Sequence, residues 1–127
     1  MCKLFLALML SIVSINVMAE WIKVGHSADL DVYIDNRSIK ESGDTKQMWV
    51  LYDFNVIQGT GDNQYLSFKS LNQYNCQAKT TKMLVSTIYD GHATTGKVVD
   101  RFNGNAKHIP IPAQSIADSL LHLACNK

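Results

Sequence analysis

The residues able to do chemistry are scattered along this chain rather than gathered into one motif. Of the four histidines, His26, His92 and His108 sit in or beside predicted turns. His122 follows Asp118 by one helical turn, which puts an acid and a base side by side on a helix surface. Catalytic use of that pair would need a nucleophile in reach, and the sequence nominates none. Ser67, Ser70 and Ser86 lack a Gly-x-Ser-x-Gly elbow. Gly59-Thr60-Gly61 lacks the third glycine and the helix of a phosphate-cradling loop. Asp29, Asp31 and Asp35 lack the loop glycine and terminal glutamate of a calcium hand. Asn36-Arg37-Ser38 matches a glycosylation acceptor by pattern alone. The expectation is a non-enzymatic protein with no catalytic, cofactor-binding or metal-ligating set.

The cysteines have a clearer use. Lys3 precedes an apolar run from Leu4 to Val13, and Val17-Met18-Ala19 follows before Glu20. Small residues at these places suit signal peptidase, so residues 1–19 are expected to be a signal peptide cleaved after Ala19. The alternative is a membrane anchor, but the run falls short of the roughly 20 apolar residues a spanning helix needs. Cleavage removes Cys2 and leaves Cys76 and Cys125 in a single domain spanning residues 20–127. An even pair in a small exported domain reads as a disulfide. Closing a loop of this size contributes about 4 kcal/mol in the chain-entropy model. The alternatives are two free thiols, or a metal site pairing Cys125 with His122, which lacks zinc-ligand spacing.

Charge narrows the partners. The chain has 12 Lys plus Arg against 11 Asp plus Glu, and loss of Lys3 balances them. A balanced domain lacks the basic footprint of a nucleic-acid binder. It also lacks the polybasic cluster that holds a protein to anionic lipid. No second apolar run is long enough to span a bilayer.

The positioning elements read mostly as strands. Trp21-Ile22-Lys23-Val24 is a short apolar start ending at Gly25, and Leu30 to Asp35 alternates with a period of two. Asn36 to Asp44 is polar and turn-rich. Gln47 to Val56 is the strongest strand, with Met48, Val50, Tyr52, Phe54 and Val56 on one face. Its other face carries Trp49 and Leu51, then Asp53 and Asn55, which places it near the middle of a sheet. A glycine-containing loop leads to a strand from Tyr65 towards Cys76, with Leu66, Phe68, Tyr74 and Cys76 on one side. Thr80 to Tyr89 and Lys97 to Phe102 add two more, and Asn103-Gly104-Asn105 signals a turn. Short connections favour antiparallel pairing. The aromatics Trp21, Tyr33, Trp49, Tyr65, Tyr74 and Tyr89 read as core and cross-strand residues.

Pro110 and Pro112 should interrupt any ladder before one helix, Ser115 to Cys125. Ser115 with Asp118 forms a capping-box pattern. Ile116, Ala117, Leu120, Leu121, Leu123, Ala124 and Cys125 fill a broad apolar arc, leaving Asp118, Ser119 and His122 for water. The fold class is therefore α+β: a curved antiparallel sheet of about six strands with one C-terminal helix packed on it and tethered by Cys76–Cys125.

These residues, in order, resemble the surface-adhesin protein E family of bacterial exported proteins. The resemblance rests on Trp21, Val32-Tyr33-Ile34-Asp35 with Ser38-Ile39, Trp49-Val50-Leu51, Tyr65-Leu66-Ser67 and Cys76. It continues through Gly96-Lys97-Val98-Val99, the proline step before Ser115, and Ala124-Cys125. It implies the same sheet and tethered helix, binding of a host extracellular-matrix or plasma protein, and a homodimer. The family's founding adhesin is anchored by a lipid on an N-terminal cysteine, a site this chain lacks, so periplasm or medium is expected rather than an anchored surface location. The alternative is a soluble periplasmic small-ligand-binding or envelope-maintenance protein, for which a pocket between sheet and helix lined by aromatics is the expected mark.

Overall fold

A computed structural model of the protein describes residues 20–103 and 107–127. The expected signal peptide, residues 1–19, and the turn at Gly104-Asn105 lie outside the described residues.

The long alternating segment folds as a strand of 14 residues, β4 (Thr45–Gln58), and the sheet grows outward from it. Before it come β1 (Trp21–His26), β2 (Leu30–Asp35) and β3 (Lys40–Ser42). After it come β5 (Tyr65–Asn75), β6 (Thr80–Tyr89), β7 (Val98–Asn103) and β8 (Ile109–Pro110). The main path runs β1-β2-β4-β5-β6-β7, with every pair antiparallel. β4 and β5 are flanked on both sides, as a strand with two half-apolar faces requires.

Among the described residues eight strands form where about six were expected. The six are the main path. The extra two carry no hydrophobic period. β3 is exposed along its length and pairs with the start of β4 around Gly43, whose φ of 59° suits glycine. β8 pairs Pro110 with Thr80 and Ile109 with Thr81, so the proline does not end the ladder. Proline lacks only the N–H, and a peripheral strand tolerates that. Gly25 likewise does not end β1, because a bulge between Lys23 and Gly25 carries the pairing on to His26.

The helix α1 (Ile116–Cys125) lies on one face of the sheet. Leu120, Leu121 and Ala124 are buried there against Val32, Ile34, Met48, Val50 and Tyr74. Burying a leucine side chain contributes about 1.5–3 kcal/mol, so this contact, not helix propensity, holds so short a helix. The Ser115 hydroxyl accepts from the Asp118 N–H at 3.1 Å. The Asp118 carboxylate reaches back to the Gln114 N–H at 3.0 Å rather than to Ser115, a one-residue displacement of the box. Ile116 is 48% and Leu123 38% exposed, which corrects the expected wide buried arc. The helix buries only the stripe centred on Leu120, Leu121 and Ala124.

The helix end is pinned covalently. Cys125 bonds Cys76, in the turn after β5, with Cα atoms 5.9 Å apart. The side of the sheet shared by Phe68 and Tyr74 is the side from which the helix is tied.

Candidate interaction surface

Strand register sorts the side chains into two faces. Val32, Val50 and Tyr74 face the helix. Their strand neighbours face away, onto a side that the helix leaves open. One row across the open face reads Lys23, Tyr33, Leu51, Lys69, Thr87, Arg101, one residue from each main-path strand. Beside it runs Trp49, Leu71, Val85, Asn103. Beyond that lies Lys40, Gln47, Gln73, Lys82. Leu51 is buried within this face, whereas Trp49, Leu71 and Val85 stay half-buried. The Lys23 ammonium sits 5.7 Å from the centre of the Tyr33 ring, and that of Lys69 sits 5.6 Å from the Trp49 ring. Trp49 and Tyr33 were expected in the core. Their register puts them on the open face instead, and among the six aromatics so read only Tyr74 is buried.

A fourth row, His26, Asp31, Asp53, Ser67, Tyr89, is capped by the turn His92–Thr94. The Asp53 carboxylate accepts from His92 Nδ1 at 2.9 Å and from the Ala93 N–H at 3.2 Å. The buried Ser67 hydroxyl donates to the Gly91 carbonyl at 2.6 Å and accepts from the Thr94 N–H at 3.0 Å. Ala93 and Thr94 hold φ values of 50° and 67°, a left-handed backbone that costs about 1–3 kcal/mol per residue outside glycine. These bonds to the sheet offset that strain. Asp31 bonds the His26 ring, which, with some help from Lys23, holds its carboxyl below the usual range against a modest opposing effect of burial.

The histidines therefore serve local pairings. His26 and His92 bond Asp31 and Asp53, His108 bonds Thr80 at 3.2 Å, and His122 lies 3.4 Å from Asp118. Among the described residues no cluster of three or more His, Cys, Asp or Glu has metal-binding geometry.

The helix-covered face carries two grooves. One, of about 660 Å³, runs between the helix and β1–β2 beside Val24, Ile34, His122 and Leu123. The other, of about 360 Å³, lies on the β6 side and is lined by Tyr52, Asn72, Tyr74, Met83 and Leu120 among others. Asn72 donates to the Tyr74 hydroxyl at 3.1 Å. Burial pushes the hydroxyl pKa of both Tyr52 and Tyr74 above the ordinary value. Tyr52 also stacks on Phe68 with centroids 4.6 Å apart, at the edge of a cluster with Phe54 and Tyr65.

The family model for surface-adhesin protein E matches residues 21–126, from the first strand to the residue after Cys125. The chain belongs to the surface-adhesin protein E family. Solved structures of Haemophilus influenzae protein E share its fold. The crystal form II structure has a TM-score of 0.65 at 12% identity, covering 87% of this chain and 91% of that one. A second protein E structure has a TM-score of 0.64 at 12% identity, covering 87% of each chain. No curated protein matches this chain significantly. At 12% identity the likeness is one of fold, so the open face must be read from this chain's own side chains. No helix among the described residues is long and apolar enough to cross a membrane.

Proposed function

We propose that this adhesin E domain is an exported, non-enzymatic binding protein that attaches to a host extracellular-matrix or plasma protein through the open face of its sheet. The observation that carries this reading is the uncovered row Trp49, Leu71, Val85 between two rows containing lysine. Half-buried aromatic and aliphatic side chains on an open sheet, with Trp, Tyr and Arg in reach, have the composition of a protein-binding surface. Family membership supports the adhesin character. The resemblance to protein E also motivates a homodimer, which sedimentation velocity tests.

Binding of the purified protein to immobilised matrix and plasma proteins tests the main reading. Saturable binding to at least one, lost on Trp49→Ala, is the expected result. Absence of binding to a broad panel overturns it.

A second reading has its own observation. The aromatic-lined groove between sheet and helix is what a small-ligand binder would need. It predicts protection of the Tyr74 and Leu120 amides by a small apolar ligand. A groove that binds no member of a fragment library argues against it.

A further inference from the structure

We infer that the partner recognised at the open face is an acidic, amphipathic protein segment. Its apolar side chains lie along Trp49–Leu71–Val85, and its carboxylates reach cations on either side of that row. This inference rests on the protein-binding reading above and names the chemistry of the partner.

The argument starts from charge placement. Lys69 and Arg101 stand on one side of the apolar row, two strands apart, roughly 10 Å at ordinary strand spacing. Lys40 and Lys82 stand on the other side. Among the described residues none of these four cations has a carboxylate within ion-pair distance. Three carboxylates of this face are already engaged, Asp35 by the Arg37 N–H beside the seam. Asp31 is held by Lys23 and His26, and Asp53 by His92 and the Ala93 N–H. The chain as a whole is nearly balanced in charge, so this segregation belongs to the face and not to the composition. An apolar seam between two cationic rails matches a ligand with an apolar stripe between two acidic flanks.

A hollow of about 340 Å³ gives the seam an anchor point. It opens beside Trp49 and Leu71, with Arg37 and Lys40 in its lining. Asp35 also lines it, and its carboxylate already accepts from the Arg37 N–H at 3.0 Å. The volume suits one large apolar side chain set into an otherwise shallow face.

An acidic glycan is the rival occupant, because it too would seek cations beside aromatics. The ring geometry favours the peptide. Lys69 stands over the Trp49 ring and Lys23 over the Tyr33 ring, so ammonium groups occupy ring faces on which a sugar would stack. Leu71 and Val85 offer apolar contact, which a polysaccharide leaves unused.

The test uses the protein purified with its disulfide formed and a synthetic 18-residue helical peptide bearing a leucine stripe flanked by glutamates. Controls are the same peptide with lysines for glutamates, and heparin. The acidic peptide should bind saturably, more weakly as salt rises, and shift the NMR signals of Trp49, Leu71 and Val85. The paired variants Lys69→Gln/Arg101→Gln and Lys40→Gln/Lys82→Gln should each weaken it about tenfold. Their melting temperatures check that these substitutions, two at exposed and two at half-buried lysine or arginine positions, leave the fold intact. Equal binding by the variants, shifts confined to the helix-covered face, or binding of heparin but not the acidic peptide would each overturn the proposal. Matrix-protein binding that survives both paired variants would sink this inference and leave the adhesin reading standing. Peptide binding at the face without any matrix-protein binding would do the reverse.

Discussion

The Lys69 ammonium stands 5.6 Å from the centre of the Trp49 ring, on the face of the sheet opposite the helix. The pair is diagonal, since Trp49 lies opposite Leu71 and Lys69 opposite Leu51. Exposed contacts of this kind contribute about 0.5–1 kcal/mol, so Lys69→Met should lower stability by no more than that. It should also change the emission spectrum of Trp49, measured in a Trp21→Phe background. An unchanged spectrum would show that the ammonium does not rest on the ring in solution.

The tether makes a larger demand. Cys125→Ser should lower stability by about 2–4 kcal/mol. It should also speed hydrogen exchange across Leu120–Ala124 more than across β4. Denaturant melts under oxidising conditions read the first effect and exchange mass spectrometry the second. Equal melting of wild type and variant would show that packing alone secures the helix.

Exposure along the helix separates residues that hold it from residues that do not. Leu120, at 1% exposure, should cost about 2–5 kcal/mol on replacement by alanine. Leu123, at 38%, should stay within about 0.5–1 kcal/mol. Comparable losses at both positions would restore the wide buried arc that the structure corrects.

The turn over the fourth row depends on Ser67. Ser67→Ala leaves the Thr94 N–H and the Gly91 carbonyl without their partner. A lost buried hydrogen-bond partner costs about 1–3 kcal/mol. The strained Ala93–Thr94 backbone should relax as a consequence, seen as loss of amide protection from Gly91 to Thr95 with β4 and β5 unaffected. Retained protection would mean that Asp53 alone holds the turn.

Alkaline pH should act through the buried tyrosines. Burial raises the hydroxyl pKa of Tyr74 and Tyr52 above the ordinary 10.0. The fold keeps them neutral while the unfolded chain ionises, so their contribution is intact below pH 10 and is lost as pH climbs beyond it. Tyr74→Phe should narrow the fall in stability between pH 8 and pH 11. At pH 8 the variant should be less stable, because the nearly buried Asn72 loses its hydroxyl partner. An unaltered pH profile would place the alkaline loss elsewhere.

Period-two alternation was enough to place β2, β4 and β5, because each buries one face and a local pattern records which. Ser115 and Asp118 announced the helix start for the same reason: a cap satisfies its own first turn. Cys76 and Cys125 were legible as a pair once Cys2 was set aside. β3 and β8 were not legible, since they are held by backbone pairing to a neighbouring strand and bury almost nothing. The exposure of Ile116 and Leu123 was hidden as well. An apolar arc states what a helix can bury, and only the shape of the opposing sheet decides how much it does.

The open face shows the division most sharply. Sequence by itself set the alternation that turns Trp49 and Leu51 away from Val50, and it set a net charge near zero. It did not show that Lys40, Lys69, Lys82 and Arg101 would bracket Trp49, Leu71 and Val85, because these residues come from five strands. Their rows exist only through cross-strand register, which long-range pairing sets and no local stretch encodes.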